Sequence, residues 1–239
     1  MMNVIDNINS KHTQPREANY IALTPISFLM RTAQVHGRRT ATVFDGVKRT
    51  WKETFDRCCA FANACIDRGL LRGEVVSVLA FNTPEMVEMQ FSVAMAGGVL
   101  NTINTRLDPE TISGILDHAE PRFVVIDSDL FAVYKEAISR CEHRPEYFIY
   151  IEAGSSESPD VIDADWSMQN YESFLQSGVG EDRWTLPDDE WETFGLNYTS
   201  GTGGKPKGVL IHHRGAYLMA MGTVPAWNIP KHPIYLYTV

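Results

Sequence analysis

The chain has 239 residues, with 21 lysines and arginines against 30 aspartates and glutamates, which gives a formal net charge of −9. Hydrophobic residues at 44% and charged residues at 21% are ordinary globular values, so wholesale disorder is excluded and one large or two smaller domains are expected. The acidic balance argues against general nucleic-acid binding, which needs a basic face, but leaves room for a local basic pocket that binds phosphate.

The termini and the cysteines indicate where such a chain would reside. Residues 1–18 are polar, are predicted to form a flexible arm, and contain no apolar core of a secretory signal. No uninterrupted apolar stretch approaches the ~18 residues that a membrane span requires. The four cysteines have neither metal-site nor disulfide spacing and are predicted to be buried free thiols: Cys58, Cys59, Cys65 and Cys141. We therefore expect a cytoplasmic protein without a membrane span.

Local signals predict a helix, a hairpin and a second helix at the start of the ordered part. Thr24-Pro25 is typical of a helix N-cap followed by proline, and this helix is expected to run to about Gly37. Asp45-Gly46 between two short β-type runs indicates a hairpin. Thr50, with a glutamate three residues later, has capping-box spacing for a helix that Gly69 ends.

From residue 75 onward, short apolar runs alternate with helical patterns. The predicted strands are 75–79, 99–103, 123–126 and 147–151, and the helices between them begin at Thr83-Pro84, Asp108-Pro109 and Leu130. Buried strands connected by helices are typical of a parallel sheet with helices on both faces. The predicted fold class is therefore α/β, a layered sandwich with a parallel sheet flanked by helices.

A glycine-rich loop follows a polar surface loop at residues 154–160 and a short predicted helix at residues 171–176. A strand at residues 193–198 is expected to enter this loop, which spans residues 199–208, and a strand at residues 209–211 is expected to leave it. Glycines allow backbone N–H groups to approach anionic phosphate oxygens closely. The loop's hydroxyls add donors that also suit Mg²⁺, and its two lysines add positive charge.

Two common glycine motifs do not fit this loop. No start position satisfies the phosphate-loop pattern G-x-x-x-x-G-K-[ST], which argues against a small-molecule kinase of that kind. A dinucleotide fingerprint that starts at Gly201 has Gly203 in place but meets Pro206 where its third glycine should be. That fingerprint also opens a helix, whereas here a strand is predicted to follow the loop.

The loop resembles the phosphate loop of the adenylate-forming superfamily (acyl-CoA synthetases, firefly luciferase, adenylation domains), whose usual form is Thr-Ser-Gly-Thr-Thr-Gly-x-Pro-Lys-Gly. Eight fixed positions match: Thr199, Ser200, Gly201, Thr202, Gly204, Pro206, Lys207 and Gly208. With usage of roughly 6% per position, chance agreement over the chain is on the order of 10⁻⁷ or less. The resemblance extends from about Asn19 onward, and within the superfamily it points to plant acyl-activating enzymes and bacterial methylmercaptopropionate–CoA ligases.

The resemblance implies a two-step reaction, in which a small carboxylic acid attacks the α-phosphorus of MgATP and coenzyme A then displaces AMP from the acyl-adenylate. It implies that Thr199 is the hydroxyl nearest Mg²⁺. The candidate residues for binding ATP are Thr199, Ser200, Gly201, Thr202, Gly203, Gly204, Lys205 and Lys207. No catalytic residue is assigned in this chain, and no oligomeric state is predicted.

Two departures from the family pattern matter. Gly203 stands where the family has a second threonine, and a lost hydrogen bond to a charged group costs about 1.5–3 kcal/mol, so weakened triphosphate contact is expected. The chain also stops before the segments with which the family binds adenine, Mg²⁺ and ribose, and before the C-terminal lid domain. Residues 19–239 are therefore predicted to be the N-terminal part of an AMP-binding domain that does not turn over alone.

The function of the chain has two leading alternatives. The first is a carboxylate–CoA ligase that acts on a short- or medium-chain or fatty acid and is present as a truncated chain. The second is a catalytically inactive adenylate-forming remnant that serves as a nucleotide-binding or interaction module.

Other polar residues have open or structural interpretations. Asn101, Asn104 and Arg106 lie at or just beyond the end of the predicted strand at residues 99–103, where α/β ligand crevices open, and are expected either to approach a substrate or to cap local structure. His212-His213 are adjacent on a predicted strand, so their side chains point to opposite faces and do not chelate one ion together.

Overall fold

The computed structural model describes residues 15–16, 18–152, 168–199 and 206–237. The helices in these ranges are α1 (Ile26–His36), α2 (Trp51–Asp67), α3 (Pro84–Met95), α4 (Pro109–Ala119), α5 (Phe131–Arg140), α6 (Tyr171–Ser177) and α7 (His213–Ala226). The strands are β1 (Thr40–Phe44), β2 (Val47–Thr50), β3 (Val75–Leu79), β4 (Val99–Thr102), β5 (Phe123–Asp127), β6 (Tyr147–Ile151), β7 (Met168–Asn170), β8 (Thr193–Thr199) and β9 (Lys207–His212). None of these helices has the length and apolar character needed to cross a membrane.

A seven-stranded sheet organises the fold. Its strand order is β7-β6-β5-β3-β4-β8-β9, and every neighbouring pair is parallel except the antiparallel pair of β8 and β9 at one edge. Strands β1 and β2 form a separate antiparallel hairpin. The predicted α/β class and parallel sheet are confirmed, whereas the short strand β7 and the whole of α7 were not predicted.

Helices cover both faces of this sheet, as the continuous apolar strands predicted. Alternate residues of β5 point to opposite faces, so Phe123 and Val125 join a buried cluster with α1, α2, α3 and α6. Val124 and Ile126 join a second buried cluster with α4 and α5. The buried core therefore consists of two apolar layers separated by the sheet.

The capping box and the hairpin turn are confirmed at the predicted residues, whereas Thr24 is not the N-cap of α1: that position is Pro25, and no side chain caps the helix. Thr50 and Glu53 exchange both capping-box hydrogen bonds, at 3.2 Å from Glu53 N to Thr50 Oγ1 and 2.7 Å from Thr50 N to Glu53 Oε2. Asp45 and Gly46 have φ angles of 46° and 77°, which are the left-handed values that a two-residue hairpin turn requires. All four cysteines are buried free thiols, and burial raises the pKa of Cys59 to about 12.

A buried carboxylate connects four elements on one side of the sheet. Glu88 of α3 is 1% exposed, and it accepts hydrogen bonds from Arg57 Nε at 2.6 Å, Arg49 Nη1 at 3.2 Å and the Tyr171 hydroxyl at 2.8 Å. Burial raises the pKa of Glu88, and the two arginines oppose that shift. These contacts fasten the hairpin strand β2 and helices α2 and α6 to α3.

A second long-range contact attaches the start of α7 to the segment before α1. His213 is 4% exposed, and its Nδ1 lies 2.8 Å from Thr24 Oγ1. Glu190 accepts a hydrogen bond from Leu23 N at 2.9 Å and also pairs with Arg214. Burial lowers the pKa of His213 from 6.5 to about 4, so this imidazole is neutral in the folded chain.

We predict that Arg57→Met lowers the free energy of unfolding by about 3–5 kcal/mol, because Glu88 keeps its burial and loses its nearest cation. Urea denaturation of the chain measures the loss. The control is Arg140→Met, which removes an exposed ion pair with Glu136 and should cost less than about 1 kcal/mol. Similar losses in the two variants would contradict this account of Glu88.

We also predict a pH dependence that arises from His213. Between pH 6.5 and about 4, the imidazole of His213 is protonated in the unfolded chain and neutral in the folded chain. Proton binding then favours the unfolded chain. The free energy of unfolding is therefore highest above pH 6.5 and falls as the pH drops toward 4, by at most about 3 kcal/mol. Unfolding curves of the chain and of His213→Gln across this range should differ in slope, and parallel slopes would rule the effect out.

Candidate functional site

Two of the candidate phosphate-binding residues lie opposite each other at the edge of the sheet. Strand β8 ends at Thr199 and β9 begins at Lys207, and the two residues are paired in the antiparallel register. Directly opposite residues of an antiparallel pair place their side chains on the same face, and both of these side chains are exposed. The remaining candidates lie outside the described residues: Ser200, Gly201, Thr202, Gly203, Gly204 and Lys205.

The face on which these two side chains lie follows from their neighbour Tyr198. The Tyr198 hydroxyl is 2.6 Å from Nδ1 of His118 in α4, and the Tyr198 ring packs beside Leu196 against that helix. Because side chains alternate along a strand, Thr199 projects from the opposite face of the sheet, and Lys207 does so with it. The hydroxyl and the ammonium group therefore share an open face that α4 does not cover.

The strand order places this pair where α/β sheets bind ligands. Strand β8 is parallel to β4, with Asn197 opposite Thr102, so both strands end at the same edge of the sheet. The chain that leaves β4 crosses to β5, toward one side of the sheet, whereas the chain that leaves β8 turns to β9 on the other side. Such a reversal opens a crevice at the carboxyl ends of the strands, which is the usual ligand position in open α/β sheets.

The context of the loop agrees with the rejection of the dinucleotide fingerprint. The residues after the loop form strand β9 and pair with β8 over six positions, from Thr199 opposite Lys207 to Thr193 opposite His212. A dinucleotide-binding loop leads instead into a helix whose N-terminus faces the pyrophosphate. Here the motif lies between two antiparallel strands and does not open a helix.

Asn101 has a structural role that the sequence left open. It lies inside β4 with a fully buried side chain, where its Nδ2 donates to the Leu196 carbonyl at 2.9 Å and its Oδ1 accepts from Ser77 Oγ at 2.8 Å. Asn104 and Arg106 are exposed beyond β4, and Asn104 Oδ1 accepts from the Arg106 N–H at 2.9 Å. Asn101 therefore connects β8 to β4 and β3. Its contact on β8 is Leu196, which lies three residues before Thr199.

The sequence signal for Asn101 was present, because an amide side chain interrupts an apolar run that is otherwise fully buried. A buried polar group needs hydrogen-bond partners, and in a central strand the nearest partners belong to neighbouring strands. The identity of those neighbours depends on the order of the strands, so the contacts of Asn101 with Ser77 and Leu196 became visible only in the fold.

The adjacent residues His212 and His213 form hydrogen bonds with different partners. His212 Nδ1 accepts from the Gly215 N–H at 2.9 Å and so caps α7, while His213 contacts Thr24. Among the residues that the structure describes, no three His, Cys, Asp or Glu side chains are arranged to hold a metal ion.

Comparisons with known proteins identify the family of the chain. The sequence model of the family described as "AMP-binding enzyme" matches residues 29–239. Acetate–CoA ligase CCL3 of Humulus lupulus is 38% identical over 232 residues, which cover 93% of this chain and 40% of the relative. The peroxisomal trans-cinnamate:CoA ligase of Petunia hybrida is 37% identical over 236 residues, which cover 93% of this chain and 41% of the relative. The chain thus spans about two fifths of the length of these curated relatives.

Solved structures share the fold. The anthranilate CoA ligase AuaEII, solved in complex with anthranoyl-AMP, superposes with a TM-score of 0.72 at 20% identity, over 87% of this chain and 38% of the other. The family match covers most of the sequence and includes the strand–loop–strand segment that carries the phosphate-loop motif. The two curated relatives named above are CoA ligases. The chain belongs to the AMP-binding enzyme family.

Proposed function

We propose that this chain is the ATP-binding N-terminal part of a carboxylate–CoA ligase, which joins a carboxylic acid to coenzyme A through an acyl-adenylate. The observation that carries the proposal is the position of the phosphate-loop motif, between Thr199 and Lys207 at the carboxyl edge of a parallel sheet. The acids named for the relatives range from acetate to trans-cinnamate, and we propose a short- or medium-chain or fatty acid for this chain.

In the proposed reaction, a carboxylate oxygen attacks the α-phosphorus of ATP and pyrophosphate leaves. The Lys207 ammonium would compensate part of the charge on the departing phosphates, and the Thr199 hydroxyl on the same face would hold a phosphate or a Mg²⁺ bound to it. When bound, Mg²⁺ would neutralise further phosphate charge. In this step the protein would position the reactants and stabilise charge, because no covalent bond to the protein is formed.

We further propose that the chain alone binds the triphosphate without completing adenylation, and that it is located in the cytoplasm. It spans about two fifths of the relatives' length, and the described residues include two of the candidate ATP-binding residues, Thr199 and Lys207. The alternative is an inactive remnant that binds nucleotide or another protein, and Gly203 favours it because the loop lacks one family hydroxyl. ATP–pyrophosphate exchange by the isolated chain would refute the proposal that it does not turn over.

We predict that Lys207→Ala weakens binding of ATP to this chain about tenfold, because a charged hydrogen bond contributes about 1.5–3 kcal/mol. Isothermal titration calorimetry in the presence of Mg²⁺ measures the dissociation constant. Lys135→Ala, which removes an exposed lysine of α5 on the opposite side of the sheet, is the control and should leave ATP binding unchanged. Equal affinities of the Lys207 variant and the parent chain would remove the basis for the site.

Gly203→Thr restores the family hydroxyl and should tighten ATP binding, by up to about tenfold if the new donor reaches a phosphate. The same titration compares the variant with the parent chain. Gly203→Ala is the matched control, because it restricts the backbone as threonine does but adds no hydroxyl. Equal affinities of the Thr and Ala variants would show that the missing donor is irrelevant.

A further inference from the structure

A second group of cations surrounds a concave surface at the end of α1. The cavity has a volume of about 400 Å³ and is formed by the last turn of α1, the turn that follows it and the start of α2. Its charged and titratable lining consists of His36, Arg38, Arg39 and Lys52, and we call this group the basic pocket. Of the loop residues that the structure describes (199 and 206–208), none lines it.

Three backbone carbonyls of the basic pocket are occupied by hydrogen bonds from backbone N–H groups of the turn and of α2. The carbonyls of His36, Gly37 and Arg39 accept hydrogen bonds from Arg39 N at 2.8 Å, Lys52 N at 3.0 Å and Trp51 N at 3.0 Å respectively. A Cβ at Gly37 would lie 2.4 Å from the carbonyl oxygen of Ala33, so only glycine lets the turn close this tightly. The turn therefore holds the two arginines at fixed backbone positions.

The arginines of the basic pocket differ from most other arginines of this acidic chain in having no carboxylate partner among the described residues. Seven arginines each lie within 4.0 Å of a carboxylate: Arg49, Arg57, Arg72, Arg122, Arg140, Arg183 and Arg214. Arg38 and Arg39 are both exposed, and no carboxylate of the described part of the chain pairs with either of them. Lys52 is the one lining cation with a partner, Asp56 at 2.5 Å.

Further positive charge approaches from the C-terminal side of the described chain. The ring of His232 lies 4.9 Å from that of His36, edge to face. Desolvation, followed by the positive charges of Arg39, His36 and Lys231, lowers the pKa of His232. Lys231, beside His232, is therefore the further positive charge near the pocket, whereas the lowered pKa makes His232 itself less easily protonated.

We propose that the basic pocket binds a ligand that carries two or more phosphate groups. The guanidinium groups of Arg38 and Arg39 have no carboxylate partner in the described part of the chain and offer forked donors that match phosphate oxygens, whereas the charge of Lys52 is compensated by Asp56. The volume lies within the range of small-molecule sites. This inference is independent of the proposed ligase function, because the pocket shares no residue with the described part of the loop.

Calorimetric titration of the chain with inorganic pyrophosphate tests the proposal, in a Lys205→Ala/Lys207→Ala background that weakens the loop. We expect binding in this background and a loss of at least tenfold on adding Arg38→Gln/Arg39→Gln. The matched control is Lys135→Ala/Arg140→Ala, which removes two positive charges from α5 and should leave binding unchanged. Absence of binding in the background, or equal affinity after the arginine replacements, would overturn the proposal.

The single variants Arg38→Gln and Arg39→Gln decide the question if thermal unfolding shows that the double variant does not fold. Weaker binding in at least one of them supports the pocket, and unchanged binding in both overturns it. Sedimentation with phosphatidylcholine vesicles, with and without phosphatidylinositol phosphate, identifies the source of the phosphates. Vesicle binding that needs both the phosphoinositide and the arginines assigns the pocket to a lipid headgroup, and pyrophosphate binding alone assigns it to a soluble ligand.

Discussion

The pairing of β8 with β4 determines where the candidate site lies. Because β8 joins the sheet parallel to β4, its carboxyl end and the phosphate loop emerge at the edge of the sheet where the strand connections diverge. Asn101 reinforces this pairing through the Leu196 carbonyl, and Thr102 Oγ1 does so by donating to Asn197 Oδ1 at 3.0 Å. A shift of one residue in β8 would move Thr199 to the other face, beside α4, and would separate it from the crevice.

Most elements could be predicted from the sequence because their ends depend on neighbouring residues. The side chains of Thr50, Thr83 and Asp108 each accept a hydrogen bond from a backbone N–H three residues later, so a single stretch of sequence contains the whole signal. The order of the strands has no such local signal. It depends on which apolar faces meet across the sheet, and this explains why the antiparallel placement of β9 became visible only in the fold.

Helix α7 shows the opposite case, in which tertiary contacts prevail over local preference. It contains Gly215, Gly222 and Pro225, all of which disfavour a helix interior. His213 and Ala216 are nevertheless buried, and the contacts of His213 and Arg214 fix its first turn against the segment before α1. The loop motif lies between these two cases. Its candidate residues and their proposed chemistry come from the sequence, whereas the face of the sheet on which Thr199 and Lys207 lie follows from the pairing of β8.

The distribution of charge explains how an acidic chain can keep the two regions that we propose bind phosphate. A net charge of −9 spread over the surface is screened beyond about 8–10 Å at physiological ionic strength, so distant carboxylates contribute little at either region. Cations held close together act within that distance. Seven other arginines are neutralised by nearby carboxylates, and some of these pairs hold elements together, as those of Arg57 with Glu88 and Glu172 do. Thr199 and Lys207 at the loop, and Arg38 and Arg39 at the pocket, are instead exposed and therefore accessible to an anion from solution.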